Sequence, residues 1–168
     1  NQDNYVLIGW CLGGQLALEI ASILENRGHR NITILMLDTI LRAQDQELLR
    51  LSSLPSDEDI SREFQAPVGS KHFISTKKYL MAEHRIIGQD ISGSLQYTRM
   101  ILLKAMIKGE KEEQRLAEHI HQLAFNNVEK ITAHQDLLTV YPVDASHQEI
   151  IKKEDIIIEI IKGISTKQ

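Results

Sequence analysis

The amino-acid sequence predicts an α/β fold with a mostly parallel sheet, and three features near the N-terminus carry that prediction. Residues 5–8 ("YVLI") are a short run of β-prone side chains that meets a glycine, as a buried strand does. Residues 12–26 repeat apolar side chains at helical spacing and stop at Arg27 and Gly28. A second apolar run, residues 31–38 ("NITILMLD"), is typical of another strand. Strand, helix and strand within about 34 residues make a βαβ unit, for which a right-handed crossover is expected.

The middle of the chain, residues 42–130, is predicted to be helical. Residues 91–109 ("ISGSLQYTRMILLKAMIKG") are rich in apolar side chains and end at glycine, so we expect a helix there. Residues 110–125 begin with acidic side chains, which favour a helix N-terminus, and they place apolar side chains on one face. The polar stretch around Pro55 predicts a connection that leads into a further helix.

The end of the chain returns to α/β character. Residues 136–143 ("DLLTVYPV") are predicted to form a strand, and a turn follows. Residues 152–164 predict a closing helix, although their density of β-branched isoleucine leaves a strand open as the alternative. At 168 residues the chain is predicted to be one domain, with an α/β core of residues 1–41 and 131–168 and a helical insertion of residues 42–130.

Composition narrows the classes of function. A net charge of −4 provides no basic stripe, so a nucleic-acid partner is not expected. No run approaches the roughly 18 apolar residues of a membrane span, so no membrane association is expected. A single cysteine excludes an internal disulfide and fits a reducing, cytoplasmic location. The start "NQDNYV" has neither a signal peptide pattern nor an initiator methionine, which predicts a fragment of a longer chain.

The stretch "GWCLGG" has the pattern Gly-x-nucleophile-x-Gly, with Cys11 at its centre. A tight strand-to-helix turn strains the central residue and leaves little room two positions before and after it. Gly9 and Gly13 satisfy that demand, and Gly14 extends the glycine-rich turn. The turn places Cys11 at a helix N-terminus, where free N–H groups and the helix dipole favour a thiolate. The backbone N–H of Leu12 then points to where an oxyanion would form.

Cys11 also has a simpler interpretation. A lone cysteine is most often a small buried hydrophobic residue, and a five-residue pattern recurs by chance. The strand predicted before the turn and the helix predicted after it favour the nucleophile.

A cysteine nucleophile needs a base, and the base needs a group that orients it. Asp38 ends the second predicted strand, which puts it at the carboxyl edge of the sheet beside Cys11. A carboxylate at that position also has a structural interpretation, as a cap for the turn that follows. His147 comes after the last predicted strand, and the order nucleophile, acid, base is that of α/β-hydrolases.

The remaining histidines do not predict a metal site. His119 and His121 lie two apart on a predicted helix, so they face different directions. The others show no spacing typical of metal ligands: His29, His72, His84 and His134. No metal is therefore expected.

These residues resemble a known family. "YVLIGWCLGGQLALEIASILENRG" together with "ITILMLDT" is similar to the thioesterase domains that end nonribosomal peptide and polyketide synthetases. In that family the turn usually reads Gly-Trp-Ser-x-Gly-Gly, and an Asp-Ser or Asp-Thr pair closes the next strand, as Asp38 and Thr39 do here. "YPVDASHQEII" resembles the stretch that carries the catalytic histidine, although Ser146 stands where the family often has glycine.

The resemblance implies an α/β-hydrolase fold whose helical insertion, residues 42–130, is a lid over an acyl pocket. It further implies that Cys11 takes an acyl chain from the phosphopantetheine thiol of an acyl or peptidyl carrier protein. His147 would generate the thiolate and Asp38 would fix the imidazole tautomer. Water, or an amine or hydroxyl of the substrate, would then release the product, and no bound cofactor is needed.

Three departures from the family pattern bear on this expectation. Cysteine replaces the usual serine, and the sequence leaves open whether Cys11 is natural or introduced. The chain begins at the strand before the turn, whereas family members have several earlier strands, one of whose loops supplies a second oxyanion donor. Only 11 residues separate Asp136 from His147, with one predicted strand between them, so the sheet is expected to be incomplete near Gln135.

Two other interpretations stay open at this point. The first is a non-catalytic module that binds a carrier protein and keeps Cys11 as the relic of a site. The second is another α/β-hydrolase that acts on esters.

Overall fold

The computed structural model describes residues 3–52, 54–91, 93–107 and 114–165. Within them lies a four-stranded parallel sheet with the strands in chain order. The strands are β1 (Tyr5–Trp10), β2 (Ile32–Leu37), β3 (Arg99–Ala105) and β4 (Leu138–Val143). The helices are α1 (Leu12–Asn26), α2 (Gln46–Leu51), α3 (Asp57–Glu63), α4 (Lys71–Ile87), α5 (Gln114–Gln122) and α6 (Glu154–Ser165). The predicted α/β class with a parallel sheet is confirmed.

The predicted βαβ unit is present as β1, α1 and β2. Each residue of β1 pairs in parallel with one of β2, from Tyr5 opposite Ile32 to Trp10 opposite Leu37. The strand runs two residues beyond the predicted end at residue 8, so that it reaches the glycine-rich turn directly. The carboxyl ends of β1 and β2 therefore lie side by side, as a parallel pair in register requires.

The helix predicted over residues 91–109 is wrong, because its central part is β3. This strand lies between β2 and β4 and is buried on both faces from Met100 to Ala105. A strand buried on both faces loses the polar–apolar alternation that marks a half-exposed strand, so its apolar run resembles a buried helix. The expected gap in the sheet near Gln135 is also wrong. Two strands, β3 and β4, follow the helices α2, α3 and α4.

The predictions for the C-terminal part are confirmed. β4 falls within the predicted strand at residues 136–143. The closing segment is the helix α6 rather than a strand, and its isoleucines other than the exposed Ile158 pack on the sheet. The helix predicted at residues 110–125 is seen as α5, while residues 110–113 of that prediction lie outside the described residues.

Two apolar layers cover the sheet. On one face, Ala17, Leu18 and Ala21 of α1 pack against Ile34 and Met36 of β2. On the other face, α6 packs against residues that alternate with those, among them Leu35, Leu37, Ile101 and Leu103. Both faces of the two central strands are thus buried, which is the usual arrangement for a parallel sheet.

The chain divides into two compact units, one of residues 1–41 and 91–168 and one of residues 42–90. The second unit contains α2, α3 and α4, whose N-termini are capped by the side chains of Asp45, Ser56 and Ser70. Its small core consists of Ile60, Ala66 and Phe73 with Leu80. Residues 91–130 belong to the unit that holds the sheet. The role of the predicted helical insertion, residues 42–130, as a lid stays a prediction.

Candidate active site

Cys11 lies on a sharp turn between β1 and α1, and its backbone has a positive φ of 52° with ψ of −120°. Residues other than glycine rarely adopt this backbone conformation, so the contacts around Cys11 must stabilise it. The Cys11 N–H donates to the carbonyl of Leu37 at 3.1 Å. The Cys11 carbonyl accepts from the N–H of Gly14 and from Oγ1 of Thr39, each at 3.1 Å. The thiol is thereby presented, partly exposed, at the carboxyl edge of the sheet.

The glycines of this turn have unequal reasons to be glycine. A Cβ on Gly9 would lie 2.3 Å from the backbone of Gly13, and one on Gly14 would lie 1.8 Å from Oγ1 of Thr39. Neither position has room for a side chain, as expected for Gly9. A Cβ on Gly13 would meet nothing within 4 Å, so the predicted lack of room there is wrong. Close packing of the helix start on Thr39 restricts Gly14 instead.

Leu12, whose N–H is the predicted oxyanion donor, is the first residue of α1. The first N–H groups of a helix have no intrahelical acceptor, and the positive end of the helix dipole lies there. The local geometry therefore suits a negative oxygen beside Cys11, and the role of Leu12 stays a prediction.

Asp38 follows β2 directly and also has a positive φ, 47°. Its side chain is buried, and Oδ1 accepts from the N–H of Ala105 at 3.0 Å and from Nδ2 of Asn126 at 3.3 Å. The other oxygen, Oδ2, accepts from Nδ1 of His147 at 2.8 Å. Both carboxylate oxygens are thus engaged, and only one faces the imidazole.

His147 lies in the loop between β4 and α6, with its side chain 27% exposed. Nδ1 donates to Asp38, and the imidazole also makes a side-chain hydrogen bond with Cys11. The three residues singled out from the sequence as nucleophile, acid and base are therefore brought together, with His147 in contact with both Cys11 and Asp38. Their separation in the chain is up to 136 residues, so the fold alone brings them together.

The environment of His147 favours its charged form. Burial lowers the pKa of the imidazole, but the hydrogen bond to Asp38 and the contact with Cys11 raise it, and the net pKa is about 10 against an ordinary 6.5. At neutral pH the ring is therefore an imidazolium beside Sγ of Cys11. The site thus holds a cation in contact with the cysteine that the sequence singles out.

Trp10 and Ser146 hold the His147 loop, and the sequence did not single out either residue for this role. Nε1 of Trp10 donates to the carbonyl of His147 at 3.0 Å, and the two rings lie 5.3 Å apart between centroids. The N–H and the hydroxyl of Ser146 both donate to the carboxylate of Glu149, at 3.1 and 2.7 Å. The Ser-x-x-Glu spacing is a capping-box pattern, a signal that identifies this turn from sequence. It also explains why serine fits where the family often has glycine.

Lys104 is another buried residue near the site that sequence reasoning missed. It lies on β3 with 4% of its surface exposed, and Nζ donates to the carbonyls of Ile120 and Leu123. Burial lowers the pKa of the Lys104 ammonium, and attraction to the Asp38 carboxylate opposes that shift. A lysine within the apolar run "ILLKAM" is the signal that could have found it, since an isolated charge is rarely buried without partners.

The part of the chain that the structure describes contains no group of three or more histidine, cysteine or acidic side chains suited to hold a metal. His84 contacts the carbonyl of Ser52 at 2.7 Å, and His29 lies edge-on to Tyr5. In the same described residues no helix has the length and apolar character needed to cross a membrane.

Comparison with known families decides what kind of domain this site belongs to. A family model described as "Thioesterase domain" matches residues 1–164, nearly the whole chain. The chain belongs to the thioesterase domain family. The resemblance identified from the residues around Cys11 and Asp38 is thus confirmed. No curated protein sequence matches this thioesterase domain.

Solved structures of thioesterases share its fold. The NocB thioesterase domain, in covalent complex with a fluorophosphonate nocardicin G analogue, has a TM-score of 0.58 and 20% identity, and the match covers 91% of this chain and 61% of that one. ClbQ, from the colibactin NRPS/PKS pathway, has a TM-score of 0.58 and 15% identity, with 99% and 70% covered. Human thioesterase 2 has a TM-score of 0.57 and 12% identity, with 98% and 74% covered. The α/β-hydrolase type of the fold is confirmed, and this chain spans about three fifths of the NocB domain.

Proposed function

We propose that this thioesterase domain releases an acyl or peptidyl chain from the phosphopantetheine thioester of a carrier protein, by hydrolysis or cyclisation, through an acyl-enzyme on Cys11. The observation that carries the proposal is the hydrogen-bonded series of Cys11, His147 and Asp38 at the carboxyl edge of the sheet. Parallel sheets hold their sites at this edge. Membership of the thioesterase family supports the choice of a thioester over other acyl donors.

In the first step the thiolate of Cys11 attacks the thioester carbonyl carbon, and a new carbon–sulfur bond forms while the carbonyl oxygen becomes an oxyanion. The N–H of Leu12 is the oxyanion donor that this part of the chain offers. Collapse of the intermediate breaks the bond to the pantetheine sulfur. The imidazolium of His147 gives its proton to that leaving thiolate, a transfer that its raised pKa permits because thiols and the ring then have similar acidity.

In the second step the neutral imidazole accepts a proton from water, or from a hydroxyl or amine of the bound chain. The deprotonated oxygen or nitrogen attacks the acyl carbon, and the bond to Sγ of Cys11 breaks. The thiolate and the imidazolium are then restored as a pair. Asp38 keeps the proton on Nδ1, so that the other ring nitrogen faces Cys11 throughout.

Cysteine in place of the usual serine changes the energetics of the intermediate. Transfer from one thioester to another is nearly isoenergetic, whereas transfer to serine gives a less activated oxoester. A cysteinyl intermediate keeps its reactivity toward weak nucleophiles. This suits release by an amine as well as by water.

A carrier-protein substrate is the source of the thioester that we propose. ClbQ and the type II thioesterase BorB come from an NRPS/PKS pathway and the borrelidin biosynthetic cluster, respectively. The origins of these two proteins support natural-product biosynthesis as the setting of this chain too. Phosphopantetheine then arrives with the substrate rather than as a resident cofactor, and a cytoplasmic location accords with that setting.

The acyl-enzyme is tested by incubating the protein with an S-octanoyl pantetheine thioester and measuring the intact mass. Because the chain has one cysteine, a mass increase of one octanoyl group in the wild type has a single candidate thiol. We expect no adduct on Cys11→Ala, with the melting temperature unchanged within a few degrees. Persistent acylation of that variant would refute the nucleophile.

Two comparisons separate the proposal from the open alternatives. A relic would show the same rate of Cys11 alkylation by iodoacetamide at pH 7 in the wild type and in His147→Ala. An assembled pair predicts a loss of about 10-fold in the variant, because the neighbouring cation favours the thiolate. An esterase would turn over p-nitrophenyl octanoate as well as the pantetheine thioester, and we expect the thioester to be preferred.

A further inference from the structure

The contacts of Asp38 point to an additional residue of the site. Oδ1 of Asp38 accepts from two donors in different parts of the fold, the N–H of Ala105 at the end of β3 and Nδ2 of Asn126 before the 3₁₀ turn Val128–Ile131. These two contacts fix the plane of the carboxylate, which leaves Oδ2 for His147. A carboxylate held by one donor alone is free to rotate about its last torsion, since that torsion is broad.

Asn126 is anchored as firmly as the group it contacts. It is 0% exposed, has a positive φ of 52°, and its carbonyl accepts from the N–H of Leu41 at 3.0 Å. Asn127 also has a positive φ, 64°, and its Nδ2 donates to the carbonyl of Leu41 at 3.2 Å. Asn126 and Asn127 together hydrogen-bond both backbone groups of Leu41, three residues beyond Asp38. Nδ2 of Asn126 therefore keeps a set position relative to the carboxylate.

The Asn126 side chain is poorly explained by stability alone. Its Oδ1 is buried and has no hydrogen-bond partner among the described residues. Burying an amide oxygen without a partner costs free energy, because the oxygen loses its hydrogen bonds to water. Asparagine tolerates the left-handed conformation, but glycine does so with no polar group to bury. The feature that asparagine adds at this site is the contact with Asp38.

We infer that Asn126 is a positioning residue, which orients the Asp38 carboxylate so that Oδ2 holds the Nδ1–H tautomer of His147. It touches no substrate and acts through Asp38. The inference deepens the proposed function and rests on it only for the effect on activity. The charged groups around the imidazole that enter the test are Asp38 and Cys11, and Lys104 acts on Asp38 from β3.

The decisive measurement is the NMR titration of His147 in the full chain, with the signal assigned by its loss in His147→Gln. The variant is Asn126→Gly, which keeps the positive φ and removes only the side chain. Asn127→Gly is the matched control, because it removes a buried donor from the adjacent left-handed residue without touching Asp38. We expect the pKa of His147 to fall by about one unit in Asn126→Gly and to stay unchanged in Asn127→Gly.

The direction of that shift separates positioning from a simple effect of charge. If Asn126 only neutralised Asp38, its removal would leave more negative charge for His147, and the pKa of the imidazole would rise. A rise, or no change, in Asn126→Gly overturns the inference. An equal fall in Asn127→Gly also overturns it, because the cause would then be a loosened turn.

A second variant tests the donor itself. Asn126→Asp keeps the shape of the side chain, but at neutral pH it sets a carboxylate against Asp38. A like-charged pair shares a proton as the pH falls, and the protonated partner becomes a donor again. The downfield Nδ1–H signal of His147 should therefore be weaker than in the wild type at neutral pH in both variants, and acidification should strengthen it in Asn126→Asp but not in Asn126→Gly. Identical behaviour of the two variants would contradict the role of the amide donor.

The effect on catalysis is measured separately, as kcat/KM for the S-octanoyl pantetheine thioester. We expect about a 10-fold loss in Asn126→Gly, the size typical of removing one hydrogen bond to a charged group. The NMR shift does not depend on turnover. If the shift appears in a protein that never hydrolyses the thioester, the positioning role stands and the proposed substrate fails.

Discussion

β1 and β2 lie side by side and each is followed directly by a residue with a positive φ, yet the two turns are held by different means. Cys11 follows β1 with a φ of 52°, and Asp38 follows β2 with a φ of 47°. Each N–H extends the sheet by one more bond, from Cys11 to Leu37 at 3.1 Å and from Asp38 to Leu103 at 2.8 Å. Neither residue is a glycine, so the fold must stabilise both conformations.

The turn at Cys11 is held by close packing at two glycines and by a hydrogen bond from Thr39 to its backbone carbonyl, whereas the turn at Asp38 is held through its own carboxylate. Around Cys11, Gly9 and Gly14 let the start of α1 approach β1 and Thr39. Around Asp38, donors from Ala105, Asn126 and His147 fill both carboxylate oxygens. The difference suits the roles that we propose for Cys11 and Asp38, since a nucleophile must stay accessible and an orienting carboxylate must not move.

The largest expected effect comes from removing the negative charge of Asp38, in the second turn. Asp38→Asn is expected to lower kcat/KM by about 10³-fold or more, because the amide favours the wrong imidazole tautomer. The melting temperature should change little by comparison, since an asparagine oxygen can still accept from the N–H of Ala105. Measuring both quantities on the same preparation decides the point. A large fall in melting temperature with unchanged activity per folded molecule would make Asp38 a structural cap.

The contrast between the turns also shows how far sequence reasoning reached. Glycines spaced around Cys11 leave a pattern in the sequence, because a position with no room for a side chain is occupied by glycine. The partners of Asp38 are 67 and 88 residues away in the chain and leave no local pattern. Asn126 could not be found without the fold, whereas the order of Cys11, Asp38 and His147 could.

The wrong predictions also concern features that depend on contacts between distant parts of the chain. β3 was mistaken for a helix because burial on both faces removes the alternation by which a strand is recognised. The missing strand near Gln135 was a consequence of that error, since one strand had been counted as a helix. The Gly-x-nucleophile-x-Gly pattern predicts a crowded Gly13, and the open space beside it follows only from how the folded chain packs.

The second prediction sharpens the electrostatic side of the comparison. The pKa of His147 is raised to about 10 in the folded protein against 6.5 for the ordinary group. A raised pKa contributes stability that is complete below pH 6.5 and is lost as the pH rises toward 10. The stability advantage of the wild type over His147→Gln should therefore shrink by about 2 kcal/mol over that range. The estimate is below the full linkage value, because the imidazole is 27% exposed.

Urea unfolding at pH 6, 8 and 10 measures this trend in both proteins. Cys11→Ala in each background is the matched control, because it removes the thiol that contributes to the raised pKa. A constant difference between wild type and His147→Gln at all three pH values would mean that the charged pair does not form.

The third prediction concerns the backbone packing of the first turn. Gly14→Ala should destabilise the protein by about 1–3 kcal/mol, since its Cβ would overlap Thr39, which is 0% exposed and has no room to move. Thermal unfolding checks this. Adding Thr39→Ala should recover part of the loss, although the hydrogen bond from Thr39 to the carbonyl of Cys11 is then absent. No recovery in the double variant would place the strain elsewhere than at Thr39.

The smallest expected effect is that of Gly13→Ala. It tests whether position 13 needs a glycine because of the space around it in the folded chain. Gly13→Ala adds a methyl group where nothing lies within 4 Å, in the first turn of a helix where alanine is the better helix former. It should raise the free energy of unfolding by about 0.5 kcal/mol, because the unfolded chain loses more conformational freedom than the helix does. Urea unfolding beside Gly14→Ala gives the comparison under one set of conditions. If Gly13→Ala proved as harmful as Gly14→Ala, the turn would have to move during folding or function, since the packing of the folded chain gives no reason for glycine at that position.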